Sequence, residues 1–172
     1  MKKSEIVKMP EYFDRYINLV DDIDIVDALD RYGAKYLLAE KQNFVQLDDK
    51  VYESGKWNIK DIIQHLIDAE RVFSYRAMRF ARNDKTALPG FDENIYAVTA
   101  AASNRSLDDL LEEFAALRSA TTKLYKSFTK EMLTREGISF NKDISVVAIG
   151  FTITGHVIHH VNILKERYYK LI

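Results

Sequence analysis

The chain has 172 residues, with 25 Lys and Arg against 26 Asp and Glu, which gives a formal net charge of −1. This length favours a single domain over residues 1–172 with a substantial core. The near-neutral balance argues against non-specific nucleic-acid binding, which depends on positive charge. The sequence contains no cysteine, which excludes a disulfide framework, a cysteine-type zinc site, an iron–sulfur cluster and a cysteine nucleophile. The six glycines form neither a dinucleotide-binding motif nor a P-loop.

Two segments of the sequence could indicate secretion or membrane insertion. Ser4, Glu5 and Lys8 interrupt the apolar run that a signal peptide needs, so we expect a cytoplasmic protein. Residues 144–164 lack charged side chains over the length of a membrane span. However, this stretch contains serine, threonine, asparagine and three histidines, which are costly in lipid. It is interpreted as a buried helix, and no membrane association is expected.

Four long segments show the periodicity of amphipathic helices, and polar breaks separate them. They cover residues of about 25–45, 59–82, 107–128 and 144–164. The connection between the second and third is the longest, and in it Pro89-Gly90 marks a turn before Asp92, which is expected to cap a short helix reaching Ala101. The pattern predicts an all-α protein, a four-helix bundle with a longer crossover between helices 2 and 3.

Helix-capping patterns precede the second and third segments. Asn58 is followed three residues later by Asp61, and Ser106 is followed by Asp109 at the same spacing. Both pairs predict that the helix begins at the next residue.

The fourth segment is more ambiguous. Its β-branched run ISVVAIGFTIT has the propensity of a strand. Its length and the lack of a partner strand elsewhere favour a helix that is buried over most of its circumference. Asn141 or Asp143 is expected to cap this helix, which ends at the charged tail of residues 165–167.

Two histidines of the fourth segment have the spacing of a metal-binding pair. His156 and His160 are four residues apart, so a helix places both on one face, one turn apart. Val157 follows His156, so the glutamate of an HExxH protease is missing and that class is excluded. His159 lies about 100° around the helix from His160 and is not expected to bind the same ion.

His65, on the second segment, is a candidate third ligand. It lies at the edge of the apolar face, where a neighbouring antiparallel helix could meet it. A catalytic metal site usually needs three protein ligands and an open position. The alternative is that these histidines are core residues that only satisfy hydrogen bonds.

Three parts of the sequence, in this order, resemble the DinB-like superfamily. Residues 57–66, from the tryptophan to the leucine of WNIKDIIQHL, are similar to the opening of that family's second helix. The sequence Pro89-Gly90-Phe91-Asp92-Glu93-Asn94 resembles its crossover loop, and Gly155, His156 and His160 resemble its second histidine motif.

The resemblance implies a four-helix bundle in which His65, His156 and His160 hold one divalent transition metal, with nickel or zinc expected and water completing the shell. Dimers are common in the superfamily, though not universal, so a homodimer is one expectation, and the substrate is expected to be a small molecule. The superfamily includes transferases and isomerases that use bacillithiol, mycothiol or glutathione. Because the chain has no cysteine, any thiol in such a reaction has to come from a low-molecular-weight co-substrate.

The leading functional hypothesis is therefore a metal-dependent enzyme, either a thiol S-transferase or a hydrolase. Two alternatives stay open. The bundle could bind a metal or small ligand without turnover, as a stress-response or interaction module. It could also be a purely structural helical dimer.

Charged and polar residues around the histidines have candidate roles. Asp61 and Asp68 lie one turn from His65 and could accept its free N–H, although solvated carboxylates are the alternative for at least one of them. Arg76 and Arg167 could bind an anionic substrate, with a surface salt bridge as the alternative.

In the crossover, Asp92 and Asn94 could face the pocket, and capping a short helix explains Asp92 equally well. Trp57 is interpreted as a packing anchor before the second helix, and Tyr168-Tyr169 could form part of an interface.

Overall fold

The computed structural model describes residues 1–172, and the chain is mostly helical. Its helices and strands are α1 (Asp14–Ile17), α2 (Ile25–Arg31), α3 (Ala34–Leu38), α4 (Lys41–Leu47), α5 (Ile59–Ala81), α6 (Glu93–Ala100), α7 (Leu107–Lys126), α8 (Lys130–Thr134), β1 (Glu136–Ser139), β2 (Lys142–Ser145) and α9 (Val146–Ile163). Short 3₁₀ turns cover Lys3–Glu5, Ala102–Asn104 and Tyr169–Leu171, and a π-helical turn, Leu164–Tyr168, continues α9.

The architecture is the four-helix bundle that the sequence predicts. The long helix α5 packs against α7 and α9, while the series of short helices α2–α4 takes the place of the remaining bundle helix, with α2 lying against both α7 and α9. The short helix α1 packs on α9. The connection from α5 to α7, which contains α6, is the longer crossover.

Local capping chemistry begins the helices where the sequence indicates. Asn58 and Asp61 form a reciprocal capping box at the start of α5. The Ser106 hydroxyl accepts the backbone N–H of Asp109 at the start of α7. Asp92 caps α6 by accepting two backbone N–H groups.

The prediction of one continuous first helix over 25–45 is wrong, because the segment is broken into α2, α3 and α4. The first break is at Gly33. There the buried guanidinium of Arg118, from α7, donates to the carbonyl oxygens of Leu29 and Tyr32 at the end of α2. A Cβ on Gly33 would lie 3.1 Å from Cγ of Arg118 and 2.7 Å from the Leu29 oxygen, so glycine is required for this close approach.

The predicted cap of the fourth helix is also wrong. Ser145 caps α9 by accepting the N–H of Ala148. Asn141 lies in a turn with a φ of 59°, and Asp143 lies in β2. Both residues belong to an antiparallel hairpin of β1 and β2, whose register pairs Glu136 with Ser145. This hairpin was not predicted from the sequence.

The apolar core has two clusters that meet along α5 and α9. The first contains the second half of α5 and the first half of α9, and the second contains the opposite halves, so the two helices run antiparallel. The stretch Val146–Leu171 is long and apolar enough to cross a membrane by length and composition, but 78% of its most apolar window is buried inside the protein. This burial is that of a central bundle helix, in agreement with the sequence interpretation.

The tyrosine pair at the C-terminus binds its own chain. The Tyr168 hydroxyl donates to the carbonyl oxygen of Trp57 at 2.7 Å, and the Tyr169 hydroxyl donates to Glu40 at 2.7 Å. Tyr168 is buried. The expectation that this pair forms part of an interface is therefore wrong for Tyr168.

Candidate metal centre

Three histidines from two antiparallel helices converge where the two core clusters meet. The Nε2 atom of His156 lies 3.1 Å from Nε2 of His65 and 3.1 Å from Nε2 of His160. One ligand atom from each of the three lies within 4.8 Å of the others. His156 is buried, and His65 and His160 are partly buried. The α-helical spacing of four residues places the pair on α9, and the packing of α5 on α9 adds His65.

This geometry fits a divalent transition metal. Two nitrogens bound at about 2.0–2.1 Å to one ion are separated by about 3.3 Å in tetrahedral geometry and about 2.9 Å in octahedral geometry. The two distances of 3.1 Å fall between these values. Hydrogen bonding explains the cluster less well, because a neutral imidazole nitrogen either donates or accepts, and Nε2 of His156 faces two others. The three nitrogens are thus suited to a shared cation.

Burial keeps these imidazoles neutral, which is the form that binds metals. Burial lowers the pKa of His65 to about 4, with a smaller contribution from His159. Burial also lowers the pKa of His156 and His160 well below 6.5, and the neighbouring histidines lower each further. At neutral pH, lone pairs are therefore available without displacing protons.

The N-terminal helix α1 closes one side of the cluster. The Tyr16 ring stands edge-on to His156, with the ring centroids 5.1 Å apart. This contact depends on Gly155, because a Cβ there would overlap the carbonyl oxygen of Tyr16 and lie 3.1 Å from its Cα. The glycine immediately before His156 therefore lets α1 lie directly against α9 beside the site.

A cavity of about 220 Å³ opens beside the three histidines. Its walls come from α1, α5, α9, the crossover and the hairpin turn, and they are largely aromatic. They are formed by Tyr12, Phe13, Arg15, Tyr16, Trp57, His65, Ala69, Phe73, Arg76, Gly90, Phe91, Glu93, Phe140, His156, His159 and His160. A concave, mostly apolar pocket with a few polar groups is the usual form of a small-molecule site.

The sequence profile of the DinB superfamily matches residues 16–164, which is most of the chain. The chain belongs to the DinB superfamily. The resemblance seen in the three sequence motifs is therefore confirmed.

Two proteins that are similar to this DinB-superfamily member are described as metal-dependent hydrolases. A protein of Oceanobacillus iheyensis named a "putative metal-dependent hydrolase" is 23% identical over 118 residues, covering 67% of each chain. The structure of YfiT from Bacillus subtilis, described as "a probable metal-dependent hydrolase with an unusual four-helix bundle topology", superposes with a TM-score of 0.62 at 16% identity. The match covers 91% of this chain and 87% of YfiT, and it shows the shared fold.

The other histidine of α9 lies outside the cluster. In this DinB-superfamily chain, His159 lines the cavity but does not belong to the group of three whose nitrogens converge. Its ring contacts Tyr16, with centroids 5.2 Å apart. This placement is as expected from its position around the helix.

The two aspartates expected beside His65 have other partners. Asp61 accepts the backbone N–H of Asn58 in the capping box. Asp68 accepts the Gln64 side-chain amide. Trp57 packs against His65 instead, with its ring centroid 4.8 Å from that of His65. Trp57 is thus a wall of the site as well as the packing anchor that the sequence suggests.

Only one of the two candidate anion-binding arginines lines the cavity. Arg76 is buried and lines the cavity, whereas Arg167 is exposed and donates to the Tyr52 hydroxyl outside it. In the crossover, Asp92 and Asn94 are exposed and do not line the cavity. Their neighbour Glu93 does.

Sequence reasoning missed the walls contributed by distant segments. Tyr12 and Tyr16 come from the N-terminal segment, and Phe140 from the hairpin turn. Gly155 is the sequence signal for the contact with Tyr16, because a glycine inside a helix often marks the close approach of another segment.

Proposed function

We propose that this member of the DinB superfamily is a divalent-metal-dependent hydrolase of a small molecule, with His65, His156 and His160 as the metal ligands. The observation that carries the proposal is the convergence of three Nε2 atoms on the wall of a cavity. Three neutral imidazoles and an adjoining space match a catalytic site with three protein ligands and an open position. The descriptions of the relatives as metal-dependent hydrolases support the same reaction class.

A metal bound here supplies Lewis acidity, which lowers the pKa of a coordinated water and can equally deprotonate a coordinated thiol. The chain's own residues supply the rest of the site. Trp57 and Tyr16 pack against His65 and His156 and restrict the orientation of these imidazoles. Glu93 lines the cavity outside the ligand set, where its carboxylate can exchange a proton with a bound substrate.

A cavity at the histidine cluster supports this proposal over a module that only holds a metal. Such a module needs only the ligands, and a closed ligand shell would favour it. Here all three histidines line the space that a substrate would occupy. Thiol transfer uses the same activation of a nucleophile, so the assays have to measure both reactions. Three imidazoles suit zinc and nickel alike, so both metals have to be loaded.

Metal binding is tested on protein prepared without an affinity tag. Wild type loaded with zinc or nickel and dialysed should retain about one equivalent by elemental analysis. His65→Ala and His156→Ala should retain little metal and stay helical by circular dichroism. His159→Ala is the matched control, because His159 neighbours the cluster without joining it, and it should retain wild-type metal. Less than about a tenth of an equivalent in the wild type refutes the proposal.

Turnover is tested separately on the loaded protein. A panel of esters and amides is assayed beside a panel of thiols with model electrophiles. We expect metal-dependent hydrolysis by the wild type and none by His156→Ala. Chelation of the wild type should abolish this hydrolysis, and reloading the metal should restore it. Stoichiometric metal with no turnover on either panel would favour the non-catalytic alternative, and transfer without hydrolysis would favour the thiol transferase.

A further inference from the structure

Arg76 carries a buried charge that no carboxylate of the protein balances. Arg76 is only 4% exposed to solvent. Its guanidinium makes one protein hydrogen bond, from Nη2 to the carbonyl oxygen of Pro89 at 2.6 Å, and forms no salt bridge. Burial lowers the pKa of Arg76, because the charged form loses hydration. Buried charges in proteins are normally paired, so this arrangement needs an explanation.

The other buried arginine shows how this fold satisfies a structural guanidinium. Arg118 is 3% exposed, and it donates to both carboxylate oxygens of Glu70, which is equally buried, at 2.9 and 2.8 Å. Its remaining nitrogen donates to backbone carbonyls, including that of Tyr32 at 2.8 Å. The environment of Arg118 thus provides a counter-ion and several acceptors. Arg76 has one acceptor and faces the cavity.

Arg76 and His65 lie on the same face of α5 and line the same cavity. They are eleven residues apart, which corresponds to about 16 Å along the helix and a rotation of only about 20°. Ala69 and Phe73 lie between them on the cavity wall. An arginine side chain leans toward the N-terminus of its helix, and the contact with the Phe73 ring places the Arg76 guanidinium on the His65 side of its own Cα. The cavity is therefore elongated, with histidines at one end and a guanidinium at the other.

The wall between the two ends is apolar, and it is assembled from separate segments. The Arg76 guanidinium carbon lies 5.5 Å from the ring centroid of Phe73. Phe91 and Phe140 come from the crossover and the hairpin turn. A Cβ on Gly90 would overlap the Phe140 ring, so glycine is required where these two segments meet. The residue before it, Pro89, accepts the only hydrogen bond that positions Arg76.

We propose that Arg76 is the docking group for the carboxylate of an elongated substrate, whose apolar or aromatic body lies along the phenylalanine wall and whose other end reaches the three-histidine centre. The proposal rests on the proposed function for the identity of that reactive end. A guanidinium recognises planar carboxylates and also phosphates, through paired N–H donors. Arg15 and Glu93 also line the cavity and their opposite charges offset each other, so a single carboxylate is the anion that balances the remaining guanidinium of Arg76.

The carboxylate site is tested in metal-free protein, so that no metal can bind the probe. Dissociation constants of 4-phenylbutanoate, of 4-phenylbutanamide and of 3-phenylpropylphosphonate are measured by NMR titration. Wild type should bind the acid at least tenfold more tightly than the amide, and more tightly than the phosphonate. Arg76→Met should lose this preference for the acid while binding the amide unchanged, which also shows that the cavity is intact. Arg76→Lys, which keeps the charge and loses the planar fork, should fall between the two.

The distance between the Arg76 site and the metal centre is tested in metal-loaded protein with a series of linear molecules. Each molecule carries a hydroxamate, which binds the metal, at one end and a carboxylate at the other. Affinity should pass through a maximum at one chain length in the wild type, and this maximum should disappear in Arg76→Met. Equal binding of acid and amide by the metal-free wild type, or an unchanged acid preference in Arg76→Met, overturns the proposal. Failure of the metal centre itself would show separately, as absent metal together with an intact acid preference.

Discussion

Replacing Gly155 with alanine tests whether the approach of α1 to α9 is required beside the histidine cluster. The new Cβ would overlap the main-chain carbonyl of Tyr16, which no side-chain rotation can relieve. The backbone of α1 would have to retreat by roughly 1 Å or more to restore ordinary van der Waals contact. The Tyr16 ring would then move away from His156, so the change acts on both the fold and the site.

The expected loss of stability follows from two opposing contributions. Overpacking of a buried site costs about 1–3 kcal/mol, and the upper end applies here because the obstacle is backbone. Alanine in place of glycine inside a helix gains about 0.5–1 kcal/mol. Gly155→Ala should therefore lower the free energy of unfolding by about 2 kcal/mol.

Gly150, on the same helix, provides the matched control. Its added Cβ would lie 2.7 Å from Cδ1 of Ile25 and 2.7 Å from a ring carbon of Tyr125, which are side-chain atoms. The same helical gain then offsets more of a smaller cost, and we expect a loss within about 1 kcal/mol. Urea unfolding of both variants measures the difference. Gly155→Ala as stable as the wild type, or no less stable than Gly150→Ala, would refute the reasoning.

Two further predictions concern buried ionisable groups. Glu70→Gln should lower the free energy of unfolding in urea by about 3 kcal/mol, because Arg118 then stays buried without a counter-ion. Replacing both Glu70 and Arg118 by apolar side chains should recover most of this loss. Metal-free protein should lose stability as the pH falls from about 6.5 toward 4, because the pKa of His65 is about 4 in the folded state and the unfolded state binds its proton first. His65 alone contributes up to about 3 kcal/mol to the free energy of unfolding over that window. Urea unfolding of chelator-treated His65→Ala should therefore show a shallower pH dependence than that of the wild type. An identical pH dependence of the two proteins would contradict the lowered pKa of His65.

The parts of the fold that depend on neighbouring residues were predictable from the sequence. The capping box at Asn58 and the caps at Ser106 and Asp92 use side chains and backbone groups within three residues of one another. The bundle followed from the same periodicity, because a helix with one apolar face has to bury that face against others. His156 and His160 were paired for the same local reason.

The break in the first helix depended on a contact that the sequence does not reveal. The carbonyl oxygens that end α2 are taken by Arg118, from a helix far along the chain, and Arg118 is in turn fixed by Glu70. Gly33 was the local sign of this close approach, but a single glycine does not state which segment approaches. Helical periodicity on both sides of it predicted continuity instead.

The hairpin and the cavity were missed for related reasons. The strands β1 and β2 have four residues each, and the turn places Phe140 and Asn141 at φ values of 53° and 59° without a glycine. Such a turn lacks the usual sequence signal of a hairpin. Since Phe140 lines the cavity, this part of the pocket wall could not be predicted either.

Diffraction data collected at the absorption edge of the loaded metal test the central claim most directly, because they locate the ion and identify it together. We expect one anomalous peak about 2.0–2.1 Å from the Nε2 atoms of His65, His156 and His160, with a coordination position facing the cavity. A crystal of metal-loaded protein with no anomalous peak at these three nitrogens, or with the ion bound elsewhere, would contradict it.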